Sequence, residues 1–260
     1  MPTVDACYLY PVKGMTPLEA PFLELEPGRS PKGDRAFVFA FANAEKRGAV
    51  QWVSKHESVT LLNTPYLARL RAAYDVDTQR LSISSDEHGT ASANVANAEE
   101  RIALAAWLAE VVEQLPANPL AGRPERKPLE LLGDGRSLFT DRGPTQVSFA
   151  AAESLRVLSQ RAGNDIDMRR FRLNLSISGV TPWEEFEWAG KQVRFGETLL
   201  DVSAPLIRCV AVNASPEGDG RDLDVVAVLQ RAFGHLNFGV EANVIEGGRV
   251  KPGDLITVMG

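Results

Sequence analysis

The chain has 260 residues, 44% of them hydrophobic and 24% charged, with a net charge of −6. That length and balance suit one or two globular domains with a real core, and the acidic surplus argues against a general nucleic-acid or anionic-membrane binder. No run approaches the roughly 18 apolar residues of a membrane helix, residues 1–6 lack the charged and apolar regions of a secretory leader, and two cysteines make no disulfide framework, so a reduced, cytoplasmic setting is expected.

Residues 4–12 are rich in β-branched and aromatic side chains and run into Pro11 and Gly14, which predicts a strand. The run 36–42 is continuous and apolar, as in a strand buried on both faces. Residues 67–74 and 81–84 predict a hairpin turning around Asp75, Asp77 and Thr78. Asn97 followed by Glu100 is a capping-box pattern, and Leu104, Leu108, Val111, Val112 and Leu115 then recur at helical spacing until Pro116. Pro116, Pro119, Pro124, Pro128 and Pro144, with Gly122, Gly133, Gly135 and Gly143, mark 116–146 as a crossing between two units.

The second half predicts a helix over 150–162 with Gly163 at its end. Strands follow over 172–178, 192–195 and 199–212. A helix over 225–233 is capped by Asp224, and strands over 240–245 and 254–258 finish the chain. Many short strands and few helices give a mixed, mainly β fold class with few helices, and a closed or partly closed sheet in this half.

Several motifs lead nowhere. Gly218-Asp219-Gly220 and Gly133-Asp134-Gly135 lack the third glycine of a dinucleotide fingerprint. His56, His88 and His235 show no zinc spacing. What remains is Tyr10-Pro11-Val12-Lys13-Gly14, Gly33-Asp34-Arg35, Arg169-Arg170-Phe171-Arg172-Leu173-Asn174, and Arg208-Cys209 at the end of an apolar run. A free cysteine is usually a buried small hydrophobe, but a thiolate beside a fixed positive charge is a nucleophile or a soft metal ligand. Each cation also has a simpler use: Lys13 as a solvated loop residue, Arg35 paired with Asp34 or Glu45, Arg172 balancing Glu184, Glu185 or Glu187.

In this order and spacing the motifs resemble the MOSC family, the domain found at the C-terminus of molybdenum cofactor sulfurases. The likeness is greater to two-part proteins such as the mitochondrial amidoxime-reducing component and its bacterial relatives, and it is strongest over residues 238–254. The resemblance implies a β-rich α+β N-terminal MOSC β-barrel-like domain over 1–118, followed by a MOSC β-barrel domain over 119–260. It implies a molybdenum cofactor, a molybdenum-bearing molybdopterin, held between them. Cys209 is the implied thiolate ligand of the metal. Lys13, Arg35, Arg172 and Arg208 are the implied cations for the cofactor, and Asn174, two residues past Arg172 and on the same face of a strand, an amide partner. Gly14 stands where relatives often have serine, Ile207 where the reductases are often polar, and Glu241 where a tyrosine is common.

What the resemblance implies for function is a molybdenum-dependent reductase of small N-hydroxylated compounds. Too few cysteines for an iron–sulfur cluster and no dinucleotide site mean that electrons come from a separate electron-transfer protein. The alternatives are a sulfur carrier using a Cys209 persulfide, without the pyridoxal phosphate domain of the sulfurases, and a binding protein with a degenerate site.

Overall fold

Strand Thr3–Leu9 buries Val4 and Cys7, three residues apart, in the same core. Strict alternation would put them on opposite faces. A register shift at Asp5, against strand Leu175–Ser178, inserts the extra residue that reconciles them. The structure, a computed structural model, describes residues 1–49, 51–136, 139–141 and 146–259.

Thr3–Leu9 belongs to an eight-stranded sheet built chiefly from the second half. In spatial order the strands are Ile256–Val258, Gln192–Phe195, Thr198–Ile207, Asn237–Glu246, Gln146–Ala151, Leu175–Ser178, Thr3–Leu9 and Leu18–Ala20. Neighbours are antiparallel except Gln146–Ala151 beside Leu175–Ser178. A parallel pair needs a crossover, and helix Ala152–Ala162 (here α2) lies within it. The expected mainly β class holds, but the sheet does not close into a continuous barrel. An isolated Thr3–Leu255 bridge, with the Val4 amide donating to the Asp254 carbonyl at 3.0 Å, brings its two sides together at one end.

A second core lies in the first half. Helix Ala98–Gln114 (α1) buries Leu104, Leu108, Val111 and Val112, packed in one cluster with the meander Arg71–Asp75, Arg80–Ser85 and Gly89–Asn94. Asn97 caps α1 as expected, accepting from the Glu99 and Glu100 amides. Glu100 reaches back to the amide of Asn94 rather than Asn97. Strand Val38–Ala40 is buried on both faces: Phe39 enters the α1 core, while Val38 and Ala40 enter a smaller cluster with Val53, Leu132 and Phe139.

Several expectations are corrected. Residues 67–70 are not strand, because Pro65 opens a 3-10 turn over Pro65–Arg69 and the hairpin begins at Arg71. Ala150 and Ala151 end a strand, and α2 starts after them. Within the expected crossing at 116–146, Leu120, Leu129 and Leu131 are in the α1 core and Glu130–Leu132 pairs with Val38–Ala40, which leaves the expected division into two units as it stood. Gly143 and Pro144 lie outside the described residues. Helix Val225–Phe233 (α3) has the expected Asp224 cap and a left-handed Gly234.

Candidate functional site

The site is built on turns rather than on strand interiors. Residues 172–174 were expected in a strand. Instead a 3-10 turn, Met168–Phe171, ends at Arg172 with φ 54°, and the strand starts at Leu175. Arg35 also has positive φ, 44°. An L-residue in this region pays about 1–2 kcal/mol, and such strain concentrates at functional sites.

These two strained arginines share one buried aromatic ring. The guanidinium carbons of Arg35 and Arg172 lie 4.4 and 4.3 Å from the centre of Tyr10, and Tyr10 has no exposed surface. A guanidinium over a ring face is stabilised by the ring quadrupole, more so when desolvated. Arg35 is neutralised by Asp34, which also accepts from the Tyr10 amide, and it donates to the Arg172 carbonyl. Of the two alternatives for Arg35, the structure selects Asp34, and places the carboxylate in the interior rather than on the surface.

Among the described residues Arg172 has no carboxylate as a hydrogen-bond or ion-pair partner, and the acidic residues 184–187 are not in contact with it. Its Nη1 donates to the Met15 carbonyl, and its Nη2 is buried without a hydrogen-bond partner among the described residues. Burial, and then the like charge of Arg35, push the Arg172 guanidinium down to about 10. A buried donor without a partner costs about 1–3 kcal/mol, more when charged, unless a ligand meets it. Arg170 holds Asp222 through two nitrogens at 2.8 and 2.5 Å, and its Nε too is buried without a partner.

Both arginines line a small pocket of about 20 Å3 between the halves, with Met15, Thr16, Ala214 and Ser215. It shares Thr16, Ala68, Arg169 and Pro216 with a larger cavity of about 320 Å3, whose cations Arg69, Arg71 and Arg169 are paired with carboxylates.

The remaining expected residues have partners of their own. Lys13 is buried, and its ammonium contacts Asp141 at 2.7 Å and faces the Trp52 ring at 5.5 Å. Burial pushes the Lys13 ammonium down and Asp141 pushes it back up. Asn174 is not a free amide: its Oδ1 accepts from the Ser148 amide and hydroxyl, and its Nδ2 donates to the Tyr8 carbonyl. It is a seam between strands. Arg208 donates to the carbonyls of Phe171 and Phe238.

Cys209 has an exposed, free thiol, whereas Cys7 is buried. It follows strand Thr198–Ile207, and the expected strand over 210–212 is instead a 3-10 turn, Val210–Asn213, with Cys209 at its N-cap position. That turn leads into Ala214 and Ser215 on the pocket wall. Ile207, two residues before Cys209, is 64% exposed, and Glu241 is buried in strand Asn237–Glu246. Among the described residues no group of three or more His, Cys, Asp or Glu side chains could hold a metal. None of their helices is long and apolar enough to cross a membrane.

Sequence reasoning missed two partners. Asp141 is 128 residues from Lys13, and no local signal joins them. Tyr10 stood inside a quoted motif, but its role under two arginines needed the fold.

The fold and site define a mainly β protein with an exposed thiol and a cation-lined pocket between two cores. Residues 134–257 match the MOSC domain family model, and this part of the chain is a MOSC domain, a family associated with molybdenum cofactor binding. The chain is similar to a molybdenum cofactor sulfurase of Drosophila grimshawi, at 28% identity over 141 residues. That match covers 52% of this chain but 17% of the sulfurase. Among solved structures, the YUAD protein of Bacillus subtilis aligns over 99% of this chain and 96% of its own, at 12% identity and TM-score 0.48. YiiM of Geobacillus stearothermophilus aligns over 44% of this chain and 54% of its own, at 20% identity and TM-score 0.34.

Proposed function

We propose that this chain binds a molybdenum cofactor and serves, in the cytoplasm, as a reductase of small N-hydroxylated compounds. The observation that carries the cofactor assignment is the buried, unpartnered Nη2 of Arg172 on the wall of a pocket between the two cores. A cation with a buried, unused donor fits a phosphate-bearing group better than it fits a structural role. Arg172 would hold the phosphate, supported by Arg35 and, once Asp141 gives way, by Lys13.

The exposed Cys209 thiol fits the single thiolate that the protein would give the metal. When bound, the molybdenum centre supplies a two-electron redox couple for cleavage of the N–O bond. The net change is R–NH–OH plus two electrons and two protons to R–NH2 plus water, with the electrons delivered by a separate protein. The chain's own residues bind and orient: Tyr10 and Asp34 hold the two arginines in place, and the exposure of Cys209 leaves the reacting face open to a small substrate and a donor protein.

The test is molybdenum and pterin content of the protein purified from a cofactor-producing host, beside Cys209→Ala and Arg172→Gln. Near-stoichiometric metal in the wild type, lost in Cys209→Ala, with pterin lost in Arg172→Gln, is expected. A folded wild type without metal or pterin overturns the cofactor assignment. A loaded protein that reduces no N-hydroxylated compound with an artificial donor overturns the reductase assignment. A persulfide on Cys209 after incubation with a cysteine desulfurase would replace it with sulfur carriage.

A further inference from the structure

Arg208 was expected among the cofactor contacts, but its guanidinium faces the protein's own backbone. Nε and Nη2 both donate to the Phe238 carbonyl, at 2.8 and 2.5 Å, and Nη1 donates to the Phe171 carbonyl at 2.9 Å. Its own amide donates to the Leu236 carbonyl at 2.8 Å, beyond the last register pair, Ile207 with Asn237. The Phe171 carbonyl belongs to the peptide bond that leads into Arg172. The direction of that carbonyl is coupled to φ of Arg172, the strained 54° angle. The rings of Phe171 and Phe238 stack at 3.8 Å, so the two carbonyls that Arg208 bridges sit on residues already packed together.

A second strut runs the other way. Arg170, in the turn that ends at Arg172, donates to the carbonyls of Ala214 at 3.0 Å and Asn213 at 3.4 Å. Asn213 ends the turn that starts after Cys209, and Ala214 follows it. The cation-bearing turn and the thiol-bearing strand end are thus tied by two reciprocal arginines. A planar fork reaches two carbonyls at once, which a lysine ammonium does less well.

We propose that Arg208 is a positioning residue that fixes the Cys209 thiol relative to the Arg172 guanidinium. The inference deepens the cofactor assignment above and rests on it for its meaning, but its geometry can be tested without any cofactor.

The experiment places a nitroxide on Cys209 of the unloaded full chain, with Cys7 buried and unlabelled. It compares the wild type with Arg208→Met and Arg208→Lys. The expected result is an increase of about threefold in nitroxide rotational rate in Arg208→Met, on the nanosecond scale of local side-chain and loop motion, with Arg208→Lys between. A purely structural role would lower the melting temperature but leave the spectrum of the folded protein as in the wild type, and that outcome overturns the proposal. If Arg208→Met does not fold, a wild-type spectrum in Arg208→Lys overturns it equally. On protein from a cofactor-producing host, Arg208→Met is expected to keep its pterin and lose molybdenum several-fold, and wild-type molybdenum content in that variant overturns the proposal. If the wild type itself loads neither, the cofactor assignment fails while the nitroxide comparison still decides the role of Arg208.

Discussion

The Tyr10 ring lies under the Arg172 guanidinium at 4.3 Å, and the Tyr10 hydroxyl donates at 3.1 Å to the Leu173 carbonyl, on the next residue of the Arg172 turn. One side chain therefore supports both the charge and the backbone of that turn. Tyr10→Phe keeps the ring and leaves the Leu173 carbonyl without this donor, so stability should fall by about 1–2 kcal/mol with phosphate affinity little changed. Tyr10→Leu removes the ring as well, and phosphate affinity should fall further. Urea unfolding and calorimetry with inorganic phosphate separate the two, and equal phosphate affinities in both variants would count against the platform role.

At Gly14 the fold leaves no room for a side chain. Its φ is +93°, and an added Cβ would lie 2.9 Å from the backbone Cα of Thr60. Gly14→Ser should therefore destabilise by about 1–3 kcal/mol, seen as a lower urea midpoint. A serine variant as stable as the wild type would show that the loop can shift.

Asp141 occupies the Lys13 ammonium, so it competes with any anion that Lys13 would bind. Asp141→Asn should tighten phosphate binding a few-fold, measured by calorimetry; weaker binding would show instead that Asp141 orients Lys13. The variant also removes the interaction that pushes the Lys13 ammonium back up. A lysine held below its ordinary value in the folded state binds fewer protons than in the unfolded chain, so stability rises with pH through that window. The alkaline gain should be larger in Asp141→Asn.

The two cysteines should behave oppositely toward iodoacetamide. Cys209 is exposed and Cys7 has no exposed surface, with burial pushing its thiol up to about 12. Mass spectrometry should find one alkyl group on the folded protein at pH 8 and two in urea. Because the Cys7 value is raised in the folded state, its contribution to stability is fully present below the ordinary thiol value and is lost as pH rises toward 12. Cys7→Ala should flatten that loss.

Glu185 ties down the start of α2 from a segment distant in sequence. Ala151 makes no side-chain cap, and the fully buried Glu185 carboxylate accepts from the Ala151 amide at 3.3 Å and the Ser154 hydroxyl at 2.8 Å. Burial raises its carboxyl. The folded state then holds the proton more tightly than the unfolded one, so this group's contribution weakens as pH rises from the ordinary carboxylate range through the raised value. Glu185→Gln should remove that slope and cost little at neutral pH. A steeper slope in a stability–pH series would refute this.

Local chemistry in the sequence determined α1 and α3, because Asn97 and Asp224 satisfy the first amides of those helices and the apolar spacing gives each a face to bury. It also determined the buried character of 36–41, where a continuous apolar run has nowhere but the interior to go. It brought the residues around Cys209, Arg35 and Arg172 to notice as motifs. The tertiary structure alone decided what each does. Arg172 left the expected strand because its turn is held by contacts distant in sequence, from Tyr10, Met15 and Arg208. Asn174 and Arg208 were drawn into backbone hydrogen bonds, since buried carbonyls and amides must find partners. Lys13 met Asp141 across 128 residues, a pairing that neither neighbourhood encodes. The sheet stayed open because the last strand meets the first mainly at an isolated bridge, a fact of register that no single strand carries.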